Sequence, residues 1–301
     1  MPAPDPAAVF NRAKEGWASP VGHIMAVTGL HLSGRNRKSK KLIVASWNIR
    51  TMLDGVSRPE RRTAQIAKEL QRYRVNIAAL QETRVEGQGQ VQEENYSFFW
   101  VGKTEGRRDA GVAFAVDNKI KLTTLPTFVS ERMMVICVPI DNNMHLTIVN
   151  VYAPTMTYPD EEKEAFYQEL TTIVSRVPPQ HKLLVVGDFN ARVGSDCETY
   201  AGIIGKFGKG KKNTNGDLLL HFCAQQELCL TNTFFSQPDK NFFTWKHPRS
   251  GHYHLLDYIV TRRSGIHEIM CTKVMRGAEC STDHYLLSAR FARKFGNVEA
   301  L

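Results

Sequence analysis

KLLVVGDFNARVG, residues 182–194, is the stretch on which the fold turns. Leu183–Gly187 is an unbroken apolar run of strand length, the mark of a buried strand. It stops at an acid, Asp188. Asn190 follows two residues later, so in extended chain both side chains leave the same face. Outward from this stretch the pattern recurs. Asn48 ends LIVASWN, Glu82 ends NIAALQE, Tyr152 follows HLTIVNV, Asp257 interrupts HLLDYIV, and Asp283-His284 precede YLLSARF. Strand ends project from a rigid scaffold, so these polar groups are expected to converge on one rim.

Strands are predicted over Leu42–Trp47, Ile77–Gln81, Gly111–Val116, Met133–Val138, His145–Val151, Leu183–Gly187, Leu228–Thr231, Leu256–Thr261 and Leu286–Phe291. A first amphipathic helix is predicted over Pro59–Tyr73, with Pro59 in its first turn and Ile66, Leu70 and Tyr73 on one face. A second follows Pro159 and opens on Asp160, Glu161 and Glu162, acids that suit the positive end of the helix dipole. Its stripe is Phe166, Leu170, Ile173 and Val177. A third, shorter helix is predicted over Leu218–Gln226, after Asn215-Gly216. Many strands with few helices between them predict an α/β chain built as a two-sheet β-sandwich flanked by helices, rather than a doubly wound parallel sheet. Three segments are expected: a flexible basic leader over 1–41, the sandwich over 42–292, and a tail over 293–301.

With 301 residues, 42% hydrophobic and 23% charged, the chain can bury a large core without disulfide or metal staples. Its formal charge of +9 favours polyanionic partners, although a soluble basic protein has the same balance. The run RNRKSKK (35–41) reads equally as a nuclear-import signal, an arm on DNA or a solvated tail. GKFGKGKK (205–212) reads as a mobile basic loop able to touch phosphate. A Walker loop is excluded there, because the spacing fails and no Ser or Thr follows a Gly-Lys pair. Cys137, Cys197, Cys223, Cys229, Cys271 and Cys280 lack the paired spacing of zinc sites and read as core thiols of a nuclear or cytoplasmic protein. Val21–Leu30 is too short and too weakly apolar to span a bilayer, so no membrane partner is expected, and the protein is expected to be monomeric.

The residue types at the strand ends suit phosphodiester hydrolysis. A hard divalent cation held by one or two carboxylates neutralises charge at the phosphate, a second carboxylate deprotonates the attacking water, and a His hydrogen-bonds a phosphate oxygen. Each residue alone has a structural alternative: Asn48 a turn former, Glu82 a helix cap, Tyr152 an edge residue, Asp257 a satisfied strand-end group, His284 a core histidine. Jointly that reading fails, because too many costly polar groups would end apolar strands by accident.

The strings SWNIRTM (46–52), ALQETR (79–84), NVYAPT (150–155), VVGDFNARVG (185–194), LLDYIV (255–260) and STDHYLL (281–287) resemble, in order, the signature blocks of the endonuclease/exonuclease/phosphatase superfamily, with its DNase I-like fold. The NARVG block, GKFGKGKKNTNG, FTW (243–245) and WKHPRSGHYHLLDY further resemble the apurinic-type endonuclease domains of non-LTR retrotransposons and their craniofacial development protein 2-like relatives. An intact element carries a reverse transcriptase after this domain, so a chain ending at Leu301 is expected to be a domesticated or truncated copy.

The resemblance implies a Mg²⁺-dependent enzyme, with Mn²⁺ able to substitute, that nicks one DNA strand and leaves a 3′-hydroxyl. It implies Glu82 as principal metal ligand with Asn48 beside it, and Asp283 as an alternate ligand or supporting group. It implies Asp188 as the water-activating group, assisted by Asn190, and Tyr152 at the phosphate or its leaving side. His284 is implied on the phosphate, oriented by Asp257. Thr244, Trp245, Arg192 and Lys209 are implied on the DNA. Two positions depart from the pattern. Arg50 stands where some abasic-site repair relatives are acidic, and Leu255 where a polar or basic residue is common. Two other readings remain at this point: a catalytically idle domain that binds DNA or protein, and a phosphatase or lipid phosphodiesterase of the same superfamily.

Overall fold

The computed structural model describes residues 41–55, 60–106, 109–140 and 144–292. Pro59, the tail and all of the leader except Lys41 lie outside the described residues. The elements run β1 (Ile43–Asn48), α1 (Arg62–Arg72), β2 (Ile77–Gln81), β3 (Gln88–Gln92), β4 (Tyr96–Val101), β5 (Val112–Asp117), β6 (Thr127–Ser130), β7 (Met133–Ile140), β8 (Met144–Tyr152), α2 (Asp160–Arg176), β9 (Lys182–Asp188), α3 (Thr214–Gln225), β10 (Leu228–Leu230), β11 (Trp245–Lys246), β12 (Tyr253–His254), β13 (Asp257–Arg262), β14 (Ile269–Met275) and β15 (Leu286–Phe291).

Two mixed sheets pack face to face. One has seven strands in the order β14-β15-β1-β2-β5-β4-β3, and the other has six in the order β10-β13-β9-β8-β7-β6. Each sheet holds a parallel pair at its centre, β1/β2 joined through α1 and β8/β9 joined through α2. The other strand pairs among the described residues are antiparallel. A parallel pair needs a crossover, and an amphipathic helix is its usual form. Both crossovers send their strands toward the same rim, where β1, β8 and β9 end on Asn48, Tyr152 and Asp188 and Glu82 directly follows β2.

The apolar runs are long because these strands are buried on both faces. Val44, Ile77, Ala79, Val112 and Phe114 meet Met134, Ile136, Ile148, Leu184 and Val186 between the sheets. The alternate residues Ala45, Trp47, Ala78, Leu80 and Ala113 pack under Ile66 and Leu70 of α1 on the outer face. On the other sheet, Tyr167 of α2 meets Phe222 of α3 with ring centroids 5.7 Å apart. Gly187 is required between β8 and β9, since a Cβ there would stand 1.9 Å from the Val151 carbonyl oxygen.

Beneath the rim a buried polar network ties the sheets together. Gln81 Nε2 donates to Asn150 Oδ1 (2.8 Å), Asn150 Nδ2 donates to the carbonyls of Leu80 and Ala113, and Ser46 Oγ donates to Gln81 Oε1. All three side chains are fully buried, so a satisfied network fixes the registry of the sheets where an unsatisfied one would be costly.

The structure adjusts several boundaries. The first helix begins at Arg62 rather than Pro59, with Asp54 Oδ1 accepting its first N–H. The third begins at Thr214, because the Asn213 side chain caps it by accepting from Gly216 N–H. Strands β3, β4, β6, β11, β12 and β14 are additions to the sequence expectation. β3 (QGQVQ) has little apolar signal to find, and its Gly89 is covered by the Trp100 ring across the pair.

Candidate active site

Asp188 is fully buried at the exit of β9, opposite Asp257 in the β9/β13 register. Asp257 Oδ2 accepts from His284 Nδ1 (3.0 Å), and His284 Nε2 stands 3.8 Å from Asp188 Oδ2. His284 is delivered by the other sheet: Trp47 Nε1 donates to its carbonyl (3.2 Å), and its N–H donates to Thr282 Oγ1. Burial alone would lower the His284 pKa, but the charge and hydrogen bond of Asp257, with Asp188 and Asp283, raise it to about 9. Burial first, then the charge of Asp257, raises Asp188 to about 7 despite the opposing pull of His284. The group is therefore poised to hold an imidazolium beside a basic carboxylate.

Asn48, also fully buried, connects this cluster to Glu82. Its Nδ2 donates to Asp188 Oδ2 and Glu82 Oε1, both at 3.0 Å. Tyr152 donates from its hydroxyl to Glu82 Oε1 (2.8 Å), and burial together with the Glu82 and Asp188 charges pushes its pKa well up. Arg84 Nη2 donates to Glu82 Oε2 (3.0 Å). Asp283 Oδ2 accepts from Trp245 Nε1 (2.9 Å), and its Oδ1 lies 3.7 Å from Arg50 Nε. Asn190 N–H donates to Asp188 Oδ1, and its Nδ2 holds the Ala153 carbonyl. A cleft of about 560 Å³ opens over these groups, lined among others by Glu82, Asn190, Arg192, Trp245, Asp283 and His284.

The loops that carry this rim are strained. Arg50, Glu82, Arg84, Asn190 and Ser281 all have positive φ, between 48° and 59°. Outside glycine and asparagine that conformation is uncommon, and it persists where surrounding contacts enforce it. The contacts are present here. Arg62 of α1 donates to the carbonyls of Ile49 and Thr51, and Asn215 Nδ2 donates to those of Pro154 and Asn190.

One expectation needs correction. Thr244 is fully buried and does not face DNA. Its Oγ1 accepts from Leu256 N–H and Asp257 N–H, both at 3.0 Å, so it sets the start of β13 and with it the aim of Asp257. Lys209 is not among the cleft-lining residues. It pairs with Asp239 (2.8 Å) and lies over the Phe242 ring. Asn48 stands beside Glu82, its Oδ1 accepting from Arg50 N–H (3.0 Å) and its Nδ2 donating to Glu82 and Asp188. Leu255 is buried, which accounts for an apolar residue at that position.

Residues that position the site without being singled out by sequence include Ser46, Gln81, Asn150, Asn213 and Asn215. The first three carry a signal, as polar residues inside apolar runs. The two asparagines look like ordinary turn formers and become recognisable only once α3 meets the Asn190 loop.

The donors suit a hard cation. Glu82 and the outer oxygen of Asp283 offer carboxylate oxygens to the cleft, with room for the waters that Mg²⁺ keeps. Asp188, Asp257 and His284 form a tighter group, with ligating atoms within 4.8 Å of one another. An imidazole held protonated by Asp257 does not ligate metal, so that group fits an anionic phosphate better.

The chain matches the Endonuclease/Exonuclease/phosphatase family over residues 45–284. Craniofacial development protein 2 of Bos taurus is 30% identical over 251 residues, which cover 83% of this chain and 41% of that protein. The chain thus spans about two fifths of the length of that relative. Among solved structures, the endonuclease domain of TRAS1, a telomere-specific non-LTR retrotransposon, matches with TM-score 0.57 and 16% identity, covering 84% of this chain and 98% of that one. A 3′ phosphatase from Neisseria, NExo, bound to product DNA hairpin, matches with TM-score 0.56 and 16% identity, covering 83% and 99%. At these identities the structural likeness is one of fold. The family match, by contrast, extends over most of the chain and runs from β1 to the histidine of the buried cluster: the chain belongs to the endonuclease/exonuclease/phosphatase family.

Proposed function

We propose that this chain is a Mg²⁺-dependent endonuclease of retrotransposon ancestry that nicks one strand of DNA and leaves a 3′-hydroxyl. The observation that carries the reading is the Asp257–His284–Asp188 cluster linked through Asn48 to Glu82, with His284 and Glu82 lining one cleft. Asp188 accepts a proton from water as the water oxygen bonds to phosphorus and the P–O3′ bond breaks, the departing 3′ oxygen taking a proton from solvent to become the 3′-hydroxyl. Asn190 holds the Asp188 carboxylate through its N–H and orients the water. His284, kept protonated by Asp257, donates to a non-bridging phosphate oxygen. Tyr152 holds Glu82 in place and faces the leaving side. Glu82, with Asp283 near, would hold the divalent ion, which would supply charge neutralisation at the phosphate. Trp245 and Arg192 line the cleft, which supports a role for both in holding the strand. The basic charge of the chain and the DNA-bound state of the Neisseria relative support DNA as substrate.

A second reading, a binding domain without catalysis, is favoured by one observation: arginines occupy both Glu82 and Asp283. Nicking of supercoiled plasmid with Mg²⁺ or with EDTA, beside a His284→Ala control, decides between the two. Mg²⁺-dependent open circles that the variant fails to produce support the enzyme. Folded protein that binds the plasmid without nicking it supports the binder.

A further inference from the structure

Two arginines stand on the acids that a cation needs. Arg84 Nη2 lies 3.0 Å from Glu82 Oε2, and Arg50 Nε lies 3.7 Å from Asp283 Oδ1. Both arginines line the cleft together with those acids. Each sits just past a strand end at positive φ, 56° for Arg84 and 59° for Arg50. A solvated surface pair requires no such backbone, so the surrounding contacts hold these loops where both guanidinium groups line the cleft. Arg84 is also incompletely engaged, because its Nε is buried without a hydrogen-bond partner. A guanidinium with one edge on a carboxylate and a donor unmet is suited to a phosphate, which accepts two parallel N–H bonds.

We propose that Arg84 is a placeholder for the divalent ion. In the free protein it neutralises Glu82, and when the ion binds it moves to a DNA phosphate, so that ion and DNA bind with positive coupling. The inference rests on the reading of Glu82 as the acid that holds the ion. A cationic side chain on Glu82 opposes a second cation there, and the same side chain released onto DNA adds a phosphate contact. Because coupling is reciprocal, DNA that draws Arg84 away must tighten the ion by the factor with which the ion tightens DNA. Arg50 is the weaker member of the pair, being farther from its acid and more exposed.

Mn²⁺ titrations followed by water-proton relaxation test this, with an Asp188→Asn background keeping added duplex intact. Arg84→Gln is expected to bind Mn²⁺ about fivefold tighter than its parent without DNA, and to lose most of the further tightening that duplex gives the parent. Arg84→Lys keeps the charge and is expected to stay near the parent, which separates loss of the cation from loss of local packing. Mn²⁺ binding in Arg84→Gln no tighter than in the parent overturns the inference. Glu82→Gln distinguishes the deeper failure: if it leaves Mn²⁺ binding unchanged, the assignment of Glu82 falls and the placeholder falls with it. If it abolishes binding while Arg84→Gln has no effect, only the placeholder falls.

Discussion

The cleft has two halves built in different ways. The inner half, Asp188, Asp257 and His284, is almost wholly buried and positioned by sheet pairing: Asp188 and Asp257 face each other across β9 and β13, and β15 brings in the histidine from the opposite sheet. The outer half, Glu82 and Asp283 with their arginines, is partly exposed and positioned by loops at positive φ. Burial gives the inner half shifted proton affinities and little freedom. Exposure leaves the outer half able to exchange partners. In the proposed mechanism proton chemistry falls to the rigid half and ion binding to the adjustable one, and Asn48, which donates to both, is where the two are joined.

The largest effect is expected where the rigid half loses its base. Asp188→Asn keeps the shape and removes the carboxylate, so nicking should fall roughly 10²-fold or more, measured on supercoiled plasmid at saturating Mg²⁺. Equal rates would mean that the inner half does no proton chemistry. Next comes the pH profile. The proposed reaction needs Asp188 ionised and His284 protonated, so the rate should rise through about 7 and fall through about 9. The Asn48 hydrogen bond lowers the Asp188 pKa, so Asn48→Ala should move the rising limb to higher pH, and an unmoved limb would break the proposed junction. Stability of the metal-free protein should follow the same groups. Both pKa values are raised on folding, so the folded state holds protons that the unfolded chain releases. The contribution of Asp188 is complete below 3.8 and lost through about 7; that of His284 is complete below 6.5 and lost through about 9. Melting temperature should accordingly decline across that range.

The inner half was the more legible from sequence. Asp188, Asp257 and His284 each interrupt or border an apolar run, and an acid placed there has few structural reasons to exist. The two-sheet architecture was legible for a different cause, the many short strands with few helices between them. The outer half was legible only as residue types. That Glu82 faces Arg84, or that Asn48 turns its NH₂ inward, depends on loop dihedrals that no periodicity encodes. Thr244 shows the converse. Set between Phe243 and Trp245, it reads as part of a DNA-contacting triplet, whereas its hydroxyl serves two backbone N–H groups inside the fold.

That difference separates Thr244 from its neighbours by a stability measurement. Thr244→Val preserves volume and removes the acceptor for Leu256 and Asp257, so unfolding free energy should fall by about 1–3 kcal/mol, the cost of stranding buried donors. Denaturant titration reads it directly, and an unchanged midpoint would mean that the start of β13 is held by other contacts.

The smallest effect is expected at Lys209, which does not line the cleft. Lys209 is paired with Asp239, which is largely exposed, and its ammonium rests on Phe242. Exposed pairs contribute about 0–1 kcal/mol, so Lys209→Ala should leave stability nearly unchanged. Its charge still adds to the field that draws DNA in, so association should weaken slightly at low salt and not at high salt. Arg192→Ala, from the cleft wall, should weaken DNA binding more at every salt concentration. Should the two variants prove equal, the cleft wall would be no more than another part of a diffuse basic surface, and the distinction between an adjustable outer half and the rest of the protein would have to be redrawn around charge instead of position.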